Sequence, residues 1–544
     1  MTSSTPDPNA DANAQPEKSC DRRSFFAIAT AVTTTGAAGA LVNDLAAQDR
    51  RGRRGGRRGQ RRGRGQGRGN QPPPPPPAHS VPPAIQFQAA PGGTGAYLAS
   101  LGGNVPNPPI QVELGGNKPA TAEEIAYLPA HRLAALIQAK KLTSVELTEI
   151  YLERLHRLDE KLLCVVDFMD DAARAAAKKA DAEIAAGNYR GPLHGIPWGV
   201  KDLFSAKGTR TTWGAKPFEN RVIDEDAAVV TRLTEAGAVL IAKLSLGTFA
   251  QGDNWFRGRT RNPWNIEQGS SGSSAGPGSA TAAGCVGFSI GTETQGSIVS
   301  PTRRCGISAL RPTFGRVSRY GGMTLSWSMD KTGPMCRTIE DCALVFHSIH
   351  GADPRDPSTL TAPFVWERNP DLSKLRIGYV DGTDEALLAK LTELGANPVK
   401  VGDRPSSRGR GSALGTESAA AFEDFLAAKL DEQMLRPERV SGMKRSGENT
   451  TALAYLQGIR RRHQLQMEMA EFMADLDMYV SPGGDTGLTN QTGHPAAVFP
   501  YKFDNGQPQC TTIIGDVFAD DKILSVAQAY QNATDWHRQH PDIA

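Results

Sequence analysis

Gly269-Ser270-Ser271-Gly272-Ser273-Ser274-Ala275-Gly276 and, further on, Gly291-Thr292-Glu293-Thr294-Gln295-Gly296-Ser297-Ile298 are the part of this 544-residue chain whose reading decides its fold. A serine and glycine run on its own describes a flexible linker. Between these two runs, however, Ala280 to Gly284 is small and apolar, and the apolar stretch Val286 to Ile290 leads directly into the second run. Such residues suit close packing, and small residues let backbone approach a ligand closely. A phosphate-binding loop would need Gly-Lys-Ser or Gly-Lys-Thr to close a glycine run, and neither run has one.

Upstream, Gly195-Ile196-Pro197-Trp198-Gly199-Val200-Lys201-Asp202 ends a short apolar strand on a lysine, where an exposed helix would be the usual place for that residue. Around these segments, helical and strand-like patterns alternate. Thr143-Ser144-Val145-Glu146 has capping-box spacing, and Leu147, Ile150, Tyr151 and Leu155 then fall on one helical face. Helices are expected over Asp170 to Ala186 and Asp226 to Ala236, the latter stopped by Gly237 and followed by a strand from Ala238 to Ala242. The order returns as strand Arg376 to Val380, helix Glu385 to Leu394 and strand Pro398 to Val401, and Asp403 to Thr416 reads as a polar surface loop. Alternation of this kind predicts an α/β fold with a largely parallel or mixed sheet.

With Asn262-Pro263-Trp264 ahead of them, these segments resemble the amidase signature family, whose serine and glycine cassette runs without a gap from Asn262 to Gly315. The likeness continues through Arg311-Pro312-Thr313, Ser328-Met329-Asp330 and Gly333-Pro334-Met335, returns at Thr492-Gly493-His494-Pro495-Ala496, and covers Thr121 to Pro541. It implies a large mixed central sheet covered by helices on both faces. Carried over residue by residue, it implies Ser297 as nucleophile, Ser273 as bridging hydroxyl and Lys201 as base, with a cis link between Gly272 and Ser273. Gapless register selects Ser273 over Ser270 and Ser271. Backbone N–H groups of Thr294, Gln295, Gly296 and Ser297 would form the oxyanion hole. The implied activity is hydrolysis of a carboxamide C–N bond through a serine acyl-enzyme, acting on a small-molecule or peptide amide, and no metal or organic cofactor is called for.

Physical chemistry adds one condition. A serine hydroxyl is a poor nucleophile until a base takes its proton, and an amine can do so only when neutral. Lys201 must therefore be buried, because desolvation lowers a lysine pKa. His131 and His494 suggest a Ser-His-Asp arrangement, but no Gly-x-Ser-x-Gly elbow stands in a strand-to-helix setting, so both read as packing or rim residues.

The likeness has departures. Gln295 stands where the family usually has glycine, Val299 where it commonly has arginine, and Glu293 replaces a frequent aspartate. Arg303 and Arg304 replace small and aromatic residues, and either could supply the cation lost at Val299. Two other functions compete with the hydrolase: a subunit of a tRNA-dependent amidotransferase, and a noncatalytic surface-binding protein on the same scaffold.

The N-terminal part reads differently. Residues 1–47 resemble a twin-arginine export signal, with Arg22-Arg23-Ser24-Phe25-Phe26, a weakly apolar stretch from Ala27 to Val42, then Leu45-Ala46-Ala47. Residues 48–92 are expected to be a disordered linker, an Arg/Gly repeat followed by the proline run Pro72 to Pro77. Residues 93–544 would then be the amidase domain. Ten arginines between Arg50 and Arg68 account for more than the whole formal charge of +3, leaving −7 elsewhere. A nucleic-acid-binding catalytic surface is thus disfavoured, and attraction to an anionic cell-surface polymer is confined to Arg50 to Arg68. The seven cysteines include no Cys-x-x-Cys pair, and no apolar run is long enough for a mature transmembrane helix.

Overall fold

A computed structural model describes residues 87–90, 93–410 and 413–543, all within the unit Gln71–Ala544. The expected export signal and residues 48–86, 91 and 92 of the expected linker lie outside the described residues. Phe87, Ala89 and Ala90, within the stretch expected as linker, are buried. Phe87 meets Phe314 edge to face at 4.9 Å, a contact that a solvated linker would not make.

Eleven strands form one mixed sheet. In chain order they are β1 (Val165–Phe168), β2 (Pro197–Lys201), β3 (Val239–Leu244), β4 (Phe288–Glu293), β5 (Ser308–Arg311), β6 (Lys331–Cys336), β7 (Ile377–Tyr379), β8 (Val399–Lys400), β9 (Met478–Val480), β10 (Ala496–Asp504) and β11 (Gln507–Gly515). Across the sheet the order is β1-β3-β2-β4-β6-β5-β10-β11-β9-β7-β8. The strands β3, β2 and β4 run parallel, as do β9, β7 and β8, and every other pairing is antiparallel. Helices flank this sheet, as the α/β expectation requires.

The parallel register of β2 with β4 positions the site. Val200 lies opposite Ile290, so Lys201 at the end of β2 comes beside Gly291 and Thr292 on β4. Both strands thus present their carboxyl ends on the same side, where parallel sheets leave room for a ligand.

Local sequence explains most boundaries. The helix Ser144–Leu162 starts where Thr143 Oγ1 accepts the Glu146 N–H at 3.0 Å, a cap worth about 1 kcal/mol. Only half of the expected capping box forms, since Glu146 Oε1 turns to Lys118 Nζ at 2.5 Å. Leu147, Tyr151 and Leu155 are fully buried along its inner face. The helix expected over Asp226 to Ala236 spans Ala228–Glu235, and the loop after Asp403 gives way to a helix at Leu414–Ala421. Two strands outrun their apolar stretches. β3 continues through Lys243, and β4 continues through Thr292 and Glu293. Each of these polar side chains has buried partners, so hydropathy alone ends the strands too early.

Candidate active site

Lys201 is fully buried at the end of β2. Its Nζ donates to Ser273 Oγ at 2.8 Å, Thr292 Oγ1 at 2.8 Å, Ser274 Oγ at 3.1 Å and Thr292 O at 3.3 Å. Among the described residues, no carboxylate touches it. Burial pushes its pKa down to about 7, against the opposing pull of the Asp330 and Glu293 charges. The adjacent Asp202 is kept occupied elsewhere, with Oδ1 2.9 Å from the buried Lys243 ammonium and Oδ2 accepting the Thr212 N–H at 2.9 Å. Were Asp202 to pair with Lys201, the ammonium form would be held and the amine would not serve as a base.

Ser273 stands just before the wholly buried helix Ala275–Ala282, and the Gly272–Ser273 peptide bond is cis. The two serine segments are joined through backbone, the Ser274 N–H donating to Ser297 O at 3.2 Å. Ser297 is half-buried, Thr294 buried and Gln295 exposed. The left-handed backbone position of this loop is Gly296, at φ +100°, so Gln295 carries no positive φ and is unstrained.

Glu293 organises the loop. Its Oε2 accepts the N–H groups of Ile298 and Val299 at 2.8 and 2.9 Å, and its Oε1 accepts from Arg311 Nη1 at 2.8 Å and Asn490 Nδ2 at 2.7 Å. Burial alone would raise its pKa, but Arg311 and these donors hold it at about 2. Among the described residues, the N–H groups of Thr294, Gln295, Gly296 and Ser297 have no acceptor. Four consecutive amides in a turn are thereby available to an anionic oxygen.

A cavity of about 740 Å³ lies beside the lysine cluster, with Thr292, Thr294 and Asp330 on its wall, while Lys201, Ser273 and Ser297 do not themselves line it. Asp330 Oδ1 accepts from Thr294 Oγ1 at 2.6 Å, and its Oδ2 accepts the N–H groups of Leu325 and Ser326. Arg303 donates to Pro482 O and Arg304 to Gln268 Oε1, and neither lines the cavity. His131 pairs with Asp341 at 2.9 Å and His494 with Thr492 Oγ1 at 2.9 Å, both outside that cavity. Among the described residues, no cluster of three or more His, Cys, Asp or Glu side chains could hold a metal ion, and the six described cysteines are buried and unpaired.

Sequence reading misses Ser274 and Thr292 as partners of Lys201, and Lys243 as the partner that diverts Asp202. Lys243 leaves a signal, a lysine inside the apolar run Val239-Leu240-Ile241-Ala242-Lys243-Leu244.

The family description Amidase matches residues 146–401. A glutamyl-tRNA(Gln) amidotransferase subunit from Methylococcus capsulatus is 32% identical over 489 residues, covering 75% of this chain and 97% of that protein. The protein of the same name from Roseiflexus sp. is 34% identical over 470 residues, covering 74% and 96%. Among solved structures, the native peptide amidase from Stenotrophomonas maltophilia superposes with a TM-score of 0.68 at 29% identity, covering 76% of this chain and 98% of that one. The chain belongs to the amidase signature family. It is an amidohydrolase of that family, an enzyme acting on amide C–N bonds.

Proposed function

We propose that the protein is an exported amidase that cleaves a carboxamide through an acyl-enzyme on Ser297, with Ser273 and Lys201 relaying the proton. The observation that carries this reading is the 2.8 Å contact of a fully buried, uncompensated Lys201 with Ser273 Oγ. In the neutral form, Lys201 Nζ accepts the Ser273 hydroxyl proton while Ser273 Oγ accepts that of Ser297. Ser297 Oγ then bonds to the amide carbon, and charge on the carbonyl oxygen is met by the free N–H groups between Thr294 and Ser297. Returning the proton through the same pair to the leaving nitrogen breaks the C–N bond and releases ammonia or an amine. Water, deprotonated along the same route, adds to the acyl carbon and expels Ser297 Oγ, giving the carboxylic acid.

Export rests on Arg22-Arg23-Ser24-Phe25-Phe26 and the stretch that follows. It is tested by fractionating cells that carry Arg22→Lys with Arg23→Lys: precursor held in the cytoplasm supports it, and unchanged export refutes it. A second reading, as one subunit of an amidotransferase, has the names of the two relatives in its favour. Ammonia release from a simple amide by the purified chain alone supports the hydrolase. Release that occurs only with a partner protein present favours the amidotransferase.

A further inference from the structure

The wall of the cavity beside the Lys201 cluster includes a residue from ahead of the expected domain. Phe87 lines it, together with Phe204, Phe314, Tyr320, Trp327 and Tyr455. Its ring is not loosely laid there: Phe314 meets it at 4.9 Å, and the Arg462 guanidinium lies 3.6 Å from its centroid. Arg462 and Gln466 are one turn apart on the helix Ala452–Met473, so both face this segment. Gln466 Nε2 donates to Gln88 O at 2.6 Å. Gly493 makes the fit possible, because a Cβ there would come within 2.8 Å of Ala89 Cβ and 3.2 Å of Phe87 Cε1.

The charges on the same wall are all engaged within the protein. Arg319 pairs with Asp356 at 2.9 Å and Arg355 with Asp353 at 3.0 Å. Glu417 accepts from the Ser328 N–H and from the hydroxyls of Ser326 and Ser328, and Asp330 is held by Thr294 and two backbone N–H groups. A substrate carboxylate would find both wall arginines already paired, would face the Asp330 and Glu417 carboxylates, and would lose its own hydration. An uncharged apolar group would meet aromatic faces instead.

We infer that this cavity takes the large, uncharged, aromatic or aliphatic part of the amide substrate, and that Phe87 is a specificity-determining residue of its wall. The inference rests on the Ser297 reading of the active site. Phe87 thus makes the segment preceding the amidase domain part of the substrate site.

The test measures kcat and KM of the full chain on uncharged primary amides of rising size, from propionamide to naphthylacetamide, alongside a carboxylate-bearing amide of matched size. The wild type should prefer large uncharged amides. In Phe87→Ala the ratio of kcat/KM for large over small amides should fall about tenfold, mainly through KM, as expected for removing one apolar wall residue. Phe87→Leu should recover much of that ratio. Equal losses across the series in a variant that still folds, or a wild-type preference for small or charged amides, would overturn the inference. Fluorophosphonate labelling lost in Ser297→Ala, run in parallel, keeps the two readings apart. If wild type and Ser297→Ala label alike, the Ser297 reading fails, whatever the size series shows.

Discussion

Arg311 and Glu293, both fully buried, lie 2.8 Å apart, and the carboxylate passes that restraint on to the backbone of the loop carrying Ser297. A buried ion pair contributes little net stability against a well-packed apolar pair, yet losing one partner is costly. Glu293→Ala should therefore lower stability by about 3 to 5 kcal/mol in denaturant titration, since it strands the Arg311 charge. Sign follows from the pKa. Glu293 is held at about 2, below its ordinary 4.5, so its contribution is present above pH 4.5 and is lost as pH falls towards 2. Acid unfolding of the wild type should show a loss over that window that Glu293→Gln lacks.

Turnover should follow the protonation of Lys201. With its pKa pushed to about 7, kcat/KM should rise with pH through 7 and level off above it. Lys201→Met should reduce kcat/KM by about 100-fold or more and remove that rise, measured by pH profiles of ammonia release. Stability runs in the same direction. The unfolded lysine titrates near 10.5, so between 7 and 10.5 the unfolded state binds more protons and stability increases with pH.

Arg303→Ala with Arg304→Ala should leave substrate range and kcat/KM within about twofold, because the guanidinium groups bond to Pro482 O and Gln268 Oε1 and neither lines the cavity. A changed ranking of substrates would return one of them to the site.

His131→Gln separates packing from chemistry. Burial opposes the charged ring, but Asp341 outweighs it and raises the pKa. Its stabilising contribution is full below pH 6.5 and disappears as pH rises past the raised value. The variant should lose thermal stability at about pH 5.5 more than at about pH 8, with turnover retained. Loss of turnover at both pH values would revive a histidine-based triad.

These expectations show which parts of the molecule the sequence makes legible. Periodicity locates the helix Ser144–Leu162, which buries one apolar face, and a short apolar run locates the strand ending at Lys201, all of whose residues are buried. The segments Gly195 to Asp202 and Gly269 to Ile298 single out Lys201, Ser273 and the Thr294 to Ser297 loop because their contexts are local in sequence, and Lys201 meets Ser273 at 2.8 Å. What stays hidden depends on contacts between distant residues. Arg311, Asn490 and Glu293 meet across β4, β5 and the helix Thr486–Thr492, and Asp202 meets Lys243 across β2 and β3. Phe87 reads as linker because a proline-rich neighbourhood says nothing about a ring that docks on Phe314 and Arg462.

The central claim is most directly tested by locating the covalent adduct. Intact-mass and peptide mass spectrometry after exposure to a fluorophosphonate should find one modification on Ser297 in the wild type. Labelling should be absent in Ser297→Ala and strongly slowed in Lys201→Met and Ser273→Ala. An adduct on another serine, or a folded wild-type enzyme that hydrolyses amides without labelling, would contradict the account.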